Sequence, residues 1–135
     1  MSVYRLAYVS RPAPLLTAVD IADIMKVAER RNAELGITGL LVHDFGRFVQ
    51  LLEGPLESIE TLMRAIILDR RHSDIRIFLQ QTAERRSLDR WVVWSDYAAS
   101  RLSDAELHLH EDIVQAALES LADLDRDRRP PSPGN

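Results

Sequence analysis

The sequence predicts an α+β sandwich in which helices pack on a mixed β-sheet. Three observations support this prediction: short segments show apolar alternation, other segments repeat apolar residues every three or four positions, and the two kinds follow one another as βαββαββ. The 135 residues are 46% apolar, which is enough for one domain with a buried core.

The first half of the chain predicts a strand, a helix and a hairpin. Residues 3–9 alternate and predict the first strand, with Tyr8 on one of its faces. Thr17 and Asp20 predict the start of the first helix, and Gly36 predicts its end. Residues 37–42 and 47–53 predict two antiparallel strands, because the connection between them is short enough for a hairpin.

The second half predicts two more helices and two more strands. Pro55 suits the first position of the second helix, which is expected to end near residues 69–72. Residues 75–80 and 91–94 predict the fourth and fifth strands, and Ser103 with Glu106 predicts the capping box of a third helix. The predicted buried stripes are Leu56, Ile59, Leu62, Met63, Ile66 and Ile67 in the second helix, and Leu107, Val114, Ala117, Leu118, Leu121 and Leu124 in the third.

This split β-α-β pattern favours a ferredoxin-like fold, with two helices on one face of a mixed sheet and an added C-terminal helix. The first and third strands are expected to be parallel neighbours. Residues 1–100 form the predicted domain, residues 101–124 a helical appendage, and residues 125–135 a disordered tail. Many unrelated activities share this fold, so function depends on individual residues.

Charge and composition argue against several classes of function. Seventeen basic and 21 acidic residues give a net charge of -4, which lacks the positive field expected for nucleic-acid or anionic-membrane binding. The absence of cysteine removes disulfides, thiolate zinc sites and cysteine nucleophiles, and favours a cytoplasmic protein. The histidines lack metal-ligand spacing, and no hydrolase or phosphate-loop motif occurs. The sequence therefore does not predict an enzyme.

Gln50 is a polar residue inside an apolar strand segment. A buried amide needs partners for its donors and its acceptor, and the predicted topology brings the Tyr8 hydroxyl within reach of Gln50. The alternative is a glutamine at a strand edge or one bonded to the backbone. The residues alone leave both interpretations open.

Two further polar residues lie at helix ends. Asn32, near the end of the first helix, is either an exposed residue that helps to stop the helix or a group that contacts a ligand. Asp69 follows the second helix, where a carboxylate opposes the helix dipole and Arg71 and His72 complement it. Asp69 therefore suggests a role other than helix stability.

Four segments of the chain carry a family resemblance. They are Tyr4-Arg5-Leu6-x-Tyr8-x-Ser10, Asn32-x-x-x-Gly36-Ile37-Thr38-Gly39-Leu40-Leu41, Phe48-x-Gln50-x-x-Glu53-Gly54 and Asp69-x-Arg71-His72. In order and spacing they resemble the BLUF family (blue light using FAD) over residues 1–97. The resemblance implies a short blue-light photoreceptor that binds oxidised FAD, or another flavin such as FMN, without a covalent bond.

The resemblance also implies residue roles. The flavin ring would lie between Ile24 and Ile66, with Asn32 and Gln50 at its polar edge and Asp69, Arg71 and His72 near the ribityl chain or phosphate. Light would drive an electron and a proton from Tyr8 to the flavin, and their return would leave Gln50 in a new rotamer or tautomer. The signal would then reach the fifth strand and the C-terminal helix.

The sequence departs from the family pattern at several positions. Ala28 stands where the family often has serine, and Ala65 stands where it often has arginine, which leaves the preference for FAD over FMN open. In the fifth strand an ungapped match assigns the output positions to Trp91 and Val93, whereas a match shifted by three residues would use Trp94. We favour Trp91, and alternation then places Trp94 on the opposite face.

The expected context is a stand-alone sensor. With one helix and a tail after the domain, it would signal through a homo-oligomer, a dimer or larger, or through an unidentified downstream protein. The third helix would pack on the open face of the sheet or on a second subunit. The alternative function is a flavin-free dimerisation or adaptor module with the same fold.

Overall fold

The computed structural model describes residues 2–95 and 100–127. Its elements are β1 (Val3–Pro12), α1 (Ala18–Glu34), β2 (Thr38–Asp44), β3 (Arg47–Gly54), α2 (Leu56–Leu68), β4 (His72–Ala83), β5 (Trp91–Ser95) and α3 (Asp104–Asp127). The predicted element order is confirmed. Strand β4 is longer than predicted at both ends, and α3 continues past residue 124. Of the predicted disordered tail, residues 125–135, residues 125–127 belong to α3, and residues 128–135 lie outside the described residues.

The sheet has the strand order β4-β1-β3-β2-β5. The expectation that β1 and β3 are parallel is wrong, because they pair antiparallel and the parallel neighbours are β2 and β5. The physical reason is connectivity. The α1 crossover gives β1 and β2 the same direction, and the hairpin then reverses β3, which lies between them. The predicted mixed sheet is confirmed through its β2–β5 pair.

A two-residue turn closes the β2–β3 hairpin. Phe45 and Gly46 have φ angles of 44° and 74°, and a type I′ turn requires positive φ at both positions. The resulting register places Leu41 of β2 opposite Gln50 of β3, and the neighbouring β1 places Tyr8 opposite Gln50 on the other side. The centre of β3 thus lies between two flanking strands, away from the sheet edges.

The helix starts confirm two predicted capping boxes and correct one position. Thr17 and Asp20 exchange side-chain to backbone hydrogen bonds at the start of α1, and Ser103 and Glu106 do so before α3. Pro55 is the N-cap of α2 instead of its first helical residue, so the helix begins one residue later than predicted.

Helices cover both faces of the sheet. We call the side covered by α1 and α2 the two-helix face and the side covered by α3 the α3 face. The two-helix face is packed around Leu6, Tyr8, Phe48 and Leu52 of the sheet, and the α3 face around Ala7, Val9, Leu40, Val49 and Leu51. The predicted pair of helices on one face is confirmed, and the sheet itself covers the apolar side of α3.

Helix α2 buries a narrower stripe than predicted. Ile59, Leu62, Met63 and Ile66 are buried, whereas Leu56 and Ile67 are exposed. Leu56 lies in the first turn, and Ile67 is rotated about 100° from Ile66, so neither side chain points into the sheet.

Helix α3 also differs from its predicted stripe. Its buried residues follow helical spacing and include two polar side chains: His110, Ile113, Ala117 and Ser120. The predicted Leu107 and Leu118 are exposed, because the helix is rotated so that His110 and Ser120 face the sheet. No helix within residues 2–95 and 100–127 has the length and apolarity needed to cross a membrane.

Candidate functional site

A cleft opens on the two-helix face, between α1 and α2 and above the centre of the sheet. Its empty volume, including the open mouth, is about 440 Å³, within the usual range for small-molecule sites. The predicted site residues that line it are Tyr8, Ile24, Gln50, Ile66, Asp69, Arg71 and His72. Residues predicted from four separate segments of the sequence therefore meet at one cleft.

Tyr8 and Gln50 form a hydrogen-bonded pair at the base of this cleft. They are opposed residues of β1 and β3, and the Tyr8 hydroxyl donates to Gln50 Oε1. Both side chains are buried. Burial raises the pKa of the Tyr8 hydroxyl, and the Asp69 carboxylate raises it further, while Arg31 opposes the shift. The phenol is therefore neutral at physiological pH and keeps its proton for donation to Gln50.

The end of α1 contains buried polar atoms without partners. Asn32 is fully buried, and neither its Nδ2 nor its Oδ1 is bonded to any described residue. The Nε of Arg31 is likewise buried and unpaired, and Arg31 lines the cleft. Asn32 does not line the cleft. It lies one helical turn beyond Ala28, which does line the cleft. Buried amides are almost always bonded in native proteins, so these atoms fit a polar ligand.

Asp69 and Arg71 form an ion pair at the mouth of the cleft. Asp69 is the C-cap residue of α2, and Arg71 Nη2 lies 2.6 Å from Asp69 Oδ2. The side-chain hydrogen bonds from Arg71 hold the pKa of Asp69 below its usual value. Arg71 thus offsets the unfavourable position of Asp69 near a helix C-terminus. The pair also places one positive and one negative charge beside the space for a ligand.

His72 lines the cleft, but both of its ring nitrogens are bonded within the protein. Nε2 lies 2.7 Å from the Ile66 carbonyl oxygen and Nδ1 lies 2.8 Å from Ser10 Oγ. A carbonyl can only accept, so Nε2 carries the proton, and a neutral ring then accepts from the Ser10 hydroxyl at Nδ1. With these bonds in place, His72 offers a ligand the surface of its ring and no free nitrogen.

The two tryptophans of β5 lie on opposite faces of the sheet. Trp91 and Val93 pack on the two-helix face with the residues of α1, as the ungapped match predicts. Trp94 packs on the α3 face, with its ring centroid 5.2 Å from that of His110. Trp91 lies beside Gly39, where a Cβ would come 1.9 Å from the Leu51 carbonyl oxygen and 3.2 Å from the Trp91 ring. Gly39 is therefore needed for this packing.

Four residues that line the cleft were not predicted as site residues: Ala28, Arg31, Leu41 and Phe48. Signals for them exist in the sequence. Arg31 follows Ile24 and Ala28 at helical spacing, and Phe48 shares a strand face with Gln50. Leu41 could be found only from the hairpin register.

The two family departures lie in different environments. Ala28 lines the cleft, so the missing serine hydroxyl changes the ligand space itself. Ala65 and the adjacent Arg64 are exposed on α2.

Comparison with known proteins decides the family. The sequence model of BLUF, described as sensors of blue light using FAD, matches residues 3–93. The chain belongs to the BLUF family. It is therefore a blue-light sensor domain that binds flavin, and the cleft with its unpaired buried polar atoms fits that cofactor.

Curated relatives place the BLUF domain within longer proteins. The chain is 34% identical over 99 residues to the blue light- and temperature-regulated antirepressor BluF of Escherichia coli K12, covering 73% of this chain and 23% of that protein. It is 37% identical over 91 residues to the photoactivated adenylate cyclase subunit beta of Euglena gracilis, covering 67% of this chain and 11% of that protein. The chain thus spans less than a quarter of either relative.

Solved structures share the whole fold. A dark-state structure of BlrB, a BLUF protein, matches with a TM-score of 0.68 and 32% identity, covering 93% of each chain. A bacterial light-regulated adenylyl cyclase matches with a TM-score of 0.70 and 27% identity, covering 92% of this chain and 36% of that one. The BlrB match includes most of this chain beyond the family segment, so the C-terminal region belongs to a shared arrangement.

Proposed function

We propose that Tyr8 and Gln50 are the photoactive pair of this BLUF domain. The observation that carries the proposal is their buried hydrogen bond at the base of the cleft. When bound, the flavin supplies absorption of blue light and an acceptor for one electron and one proton. Tyr8 is a suitable source of both, because its phenol is neutral and its proton already points towards another buried group.

Gln50 acts as the switch in this proposal. Its terminal amide presents either an oxygen or an NH₂ group to Tyr8, and the two ends have nearly the same size. Rotation of the amide exchanges the two ends, whereas tautomerisation places a proton on the oxygen. Either change lets Gln50 donate to the Tyr8 oxygen, which reverses the direction of the hydrogen bond with little repacking of the neighbouring side chains. Two discrete arrangements of a buried group form the kind of bistable element that a switch needs.

The binding roles follow from position. Ile24 and Ile66 supply apolar walls from α1 and α2, and the Asn32 amide supplies a donor and an acceptor that are otherwise unsatisfied. The Asp69–Arg71 pair lies at the mouth, where the charged part of a flavin nucleotide would leave the cleft. Arg31 joins this set, since its unpaired Nε lies among the lining residues.

Trp91 and Val93 of β5 are the output residues in this proposal. We expect this chain to signal through protein contacts, in a homo-oligomer or with a downstream partner, in the cytoplasm, and without catalytic activity of its own. Exposed apolar side chains on α2 and β4 support a protein contact: Ile67, Leu68 and Ile77 are 60%, 80% and 38% exposed. The net charge of -4 is unsuited to nucleic acid.

The test is an absorption spectrum of purified protein before and after blue light. We expect flavin absorption that shifts to the red on illumination, and no shift in Gln50→Leu, which fills similar volume but cannot exchange hydrogen bonds. Gln80→Leu is the matched control, because it removes an exposed Tyr–Gln hydrogen bond, to Tyr4, outside the cleft. A normal red shift in Gln50→Leu would refute the assignment. A folded protein that binds no flavin would support the adaptor function.

A further inference from the structure

Glu53 is a fully buried carboxylate that the photochemistry of Tyr8 and Gln50 does not use. It lies three residues after Gln50 on β3 and is 0% exposed. Its oxygens accept from Arg5 Nε at 2.7 Å, from the backbone N–H of Ser87 at 2.8 and 2.9 Å, and from that of Leu88 at 2.8 Å. A buried charge is costly unless it is fully bonded, and this one is.

The bonds of Glu53 hold the segment that connects β4 to β5. Arg86, in the same segment, donates to the carbonyl oxygens of Gly36 at 2.8 Å and Glu53 at 3.0 Å, and to Thr38 Oγ1 at 2.8 Å. The Thr38 hydroxyl donates in turn to the Leu88 carbonyl oxygen at 2.8 Å. The segment before β5 is thereby tied to the end of β3 and to the turn between α1 and β2.

Strand β5 needs such an anchor, because its own sequence specifies its register weakly. It has five residues and lies at the edge of the sheet, and among the described residues β2 is the one strand that pairs with it. A shift by one residue would turn Val92 and Trp94 towards the two-helix face in place of Trp91 and Val93. Each set is one valine and one tryptophan, so the apolar pattern does not discriminate between the two registers.

We propose that Glu53 is a positioning residue that fixes the register of β5 and thereby holds Trp91 and Val93 on the two-helix face, where the switch lies. The last residue that it bonds, Leu88, lies three positions before Trp91, and Leu88 is itself buried in the core of the α3 face. The register set there places Trp91 opposite Gly39 and Val93 opposite Leu41, which lines the cleft. This inference rests on the proposed switch at Tyr8 and Gln50.

Glu53→Gln tests the proposal, because both carboxylate oxygens accept from N–H donors. The amide NH₂ of the variant must therefore face a donor in either orientation, Ser87 and Leu88 in one and Arg5 and Ser87 in the other. In a Trp94→Phe background Trp91 is the sole tryptophan, and its dark-state emission maximum is expected to differ from that of Trp94→Phe alone, because a register shift moves the indole from the two-helix face to the core of the α3 face. The light-induced red shift of the flavin is expected to remain, and the dark recovery rate to increase about fivefold, the factor that corresponds to the net contribution of one hydrogen bond.

Glu84→Gln is the matched control, since it makes the same change at an exposed glutamate of the same segment and should alter neither readout. Glu53→Asp keeps the charge but shortens the side chain by one methylene, so its oxygens retract from the N–H groups of Ser87 and Leu88, and it decides the question if Glu53→Gln does not fold. Wild-type emission and recovery in a folded Glu53→Gln protein, or in Glu53→Asp when Glu53→Gln does not fold, would overturn the proposal. A wild-type protein without a red shift would instead refute the switch, while the dark-state emission would still test the register.

Discussion

The unpaired buried polar groups on the two faces of the sheet lie in different surroundings. On the two-helix face, the Asn32 amide and the Arg31 Nε are buried and unpaired, and Arg31 lines the cleft that is open to a ligand. On the α3 face, the unpaired ring of His110 is packed against Trp94, within a core that includes Leu51 and Ala117. One sheet therefore serves recognition on one face and stability on the other, and substitutions on the two faces should have separable effects.

The largest expected effect is on stability, from the α3 face. Ile113→Ala should lower the free energy of unfolding by about 2 to 4 kcal/mol, because it leaves a cavity in a packed core. Flavin affinity should stay within about twofold of wild type, since Ile113 lies across the sheet from the cleft. Chemical denaturation and flavin titration measure the two quantities. Leu118→Ala is the control, because Leu118 is 42% exposed on the same helix. A large loss of flavin affinity in Ile113→Ala would contradict the prediction that the two faces have separable effects.

The opposite result is expected on the two-helix face. Asn32→Leu should weaken flavin binding about tenfold or more, because it removes a buried donor and acceptor that the cofactor would satisfy. The flavin-free protein should not lose stability, since an unpaired buried amide contributes nothing favourable to the folded state. Titration of flavin into the flavin-free protein, with denaturation of the same sample, checks both statements. Unchanged flavin affinity would show that Asn32 is a structural residue.

A smaller and more local effect is expected at β5. Hydrogen exchange across residues 86–124, compared in light and darkness, should show a light-dependent change that Trp91→Phe reduces and Trp94→Phe preserves. The reason is that Trp91 packs on the face of the cleft, whereas Trp94 packs against α3. Loss of the response in Trp94→Phe alone would move the output route to the α3 face.

The smallest expected effect is a pH dependence of stability from His110. Burial lowers the pKa of His110, while Asp44 and Glu111 oppose the shift. A histidine whose pKa is depressed by folding contributes stability that is present above its unfolded pKa of about 6.5 and is lost as the pH falls below it.

Denaturation at pH 7.5 and at pH 5.5 tests this sign. The decrease in the free energy of unfolding between the two values should be smaller in His110→Leu than in wild type. His108→Leu is the control, because His108 is exposed on the same helix, and it should keep the wild-type decrease. An equal decrease in His110→Leu and wild type would exclude His110 as the source.

Some features were predictable because they depend on residues close together in sequence. The capping boxes of α1 and α3 each involve two residues three positions apart, and the hairpin was predicted from its short connection, although its turn has two residues, Phe45 and Gly46, instead of the four predicted. The family segments are likewise short, and they predict the Tyr8–Gln50 pair from the sequence alone. Alternation alone then placed Trp91 and Trp94 on opposite faces.

Other features could not be predicted, because the competing arrangements have similar local sequences. An apolar position on α3 is compatible with several rotations of the helix, and only packing on the sheet selected His110 and Ser120 over Leu107 and Leu118. The hydrogen bond between His72 and Ser10 could not be predicted from the sequence either, since the two residues are 62 positions apart.

The sequence by itself determined the order of the elements, the start of each capped helix, the Tyr8–Gln50 pair and the BLUF family. The tertiary structure alone decided that β1 and β3 are antiparallel, that Leu41 lines the cleft, and that Glu53 bonds a segment 34 residues further along the chain. Caps, turns and strand alternation are set by interactions over a few residues. Strand direction, cleft lining and a buried charge are settled by contacts between distant segments, whose free energies depend on the whole packed arrangement.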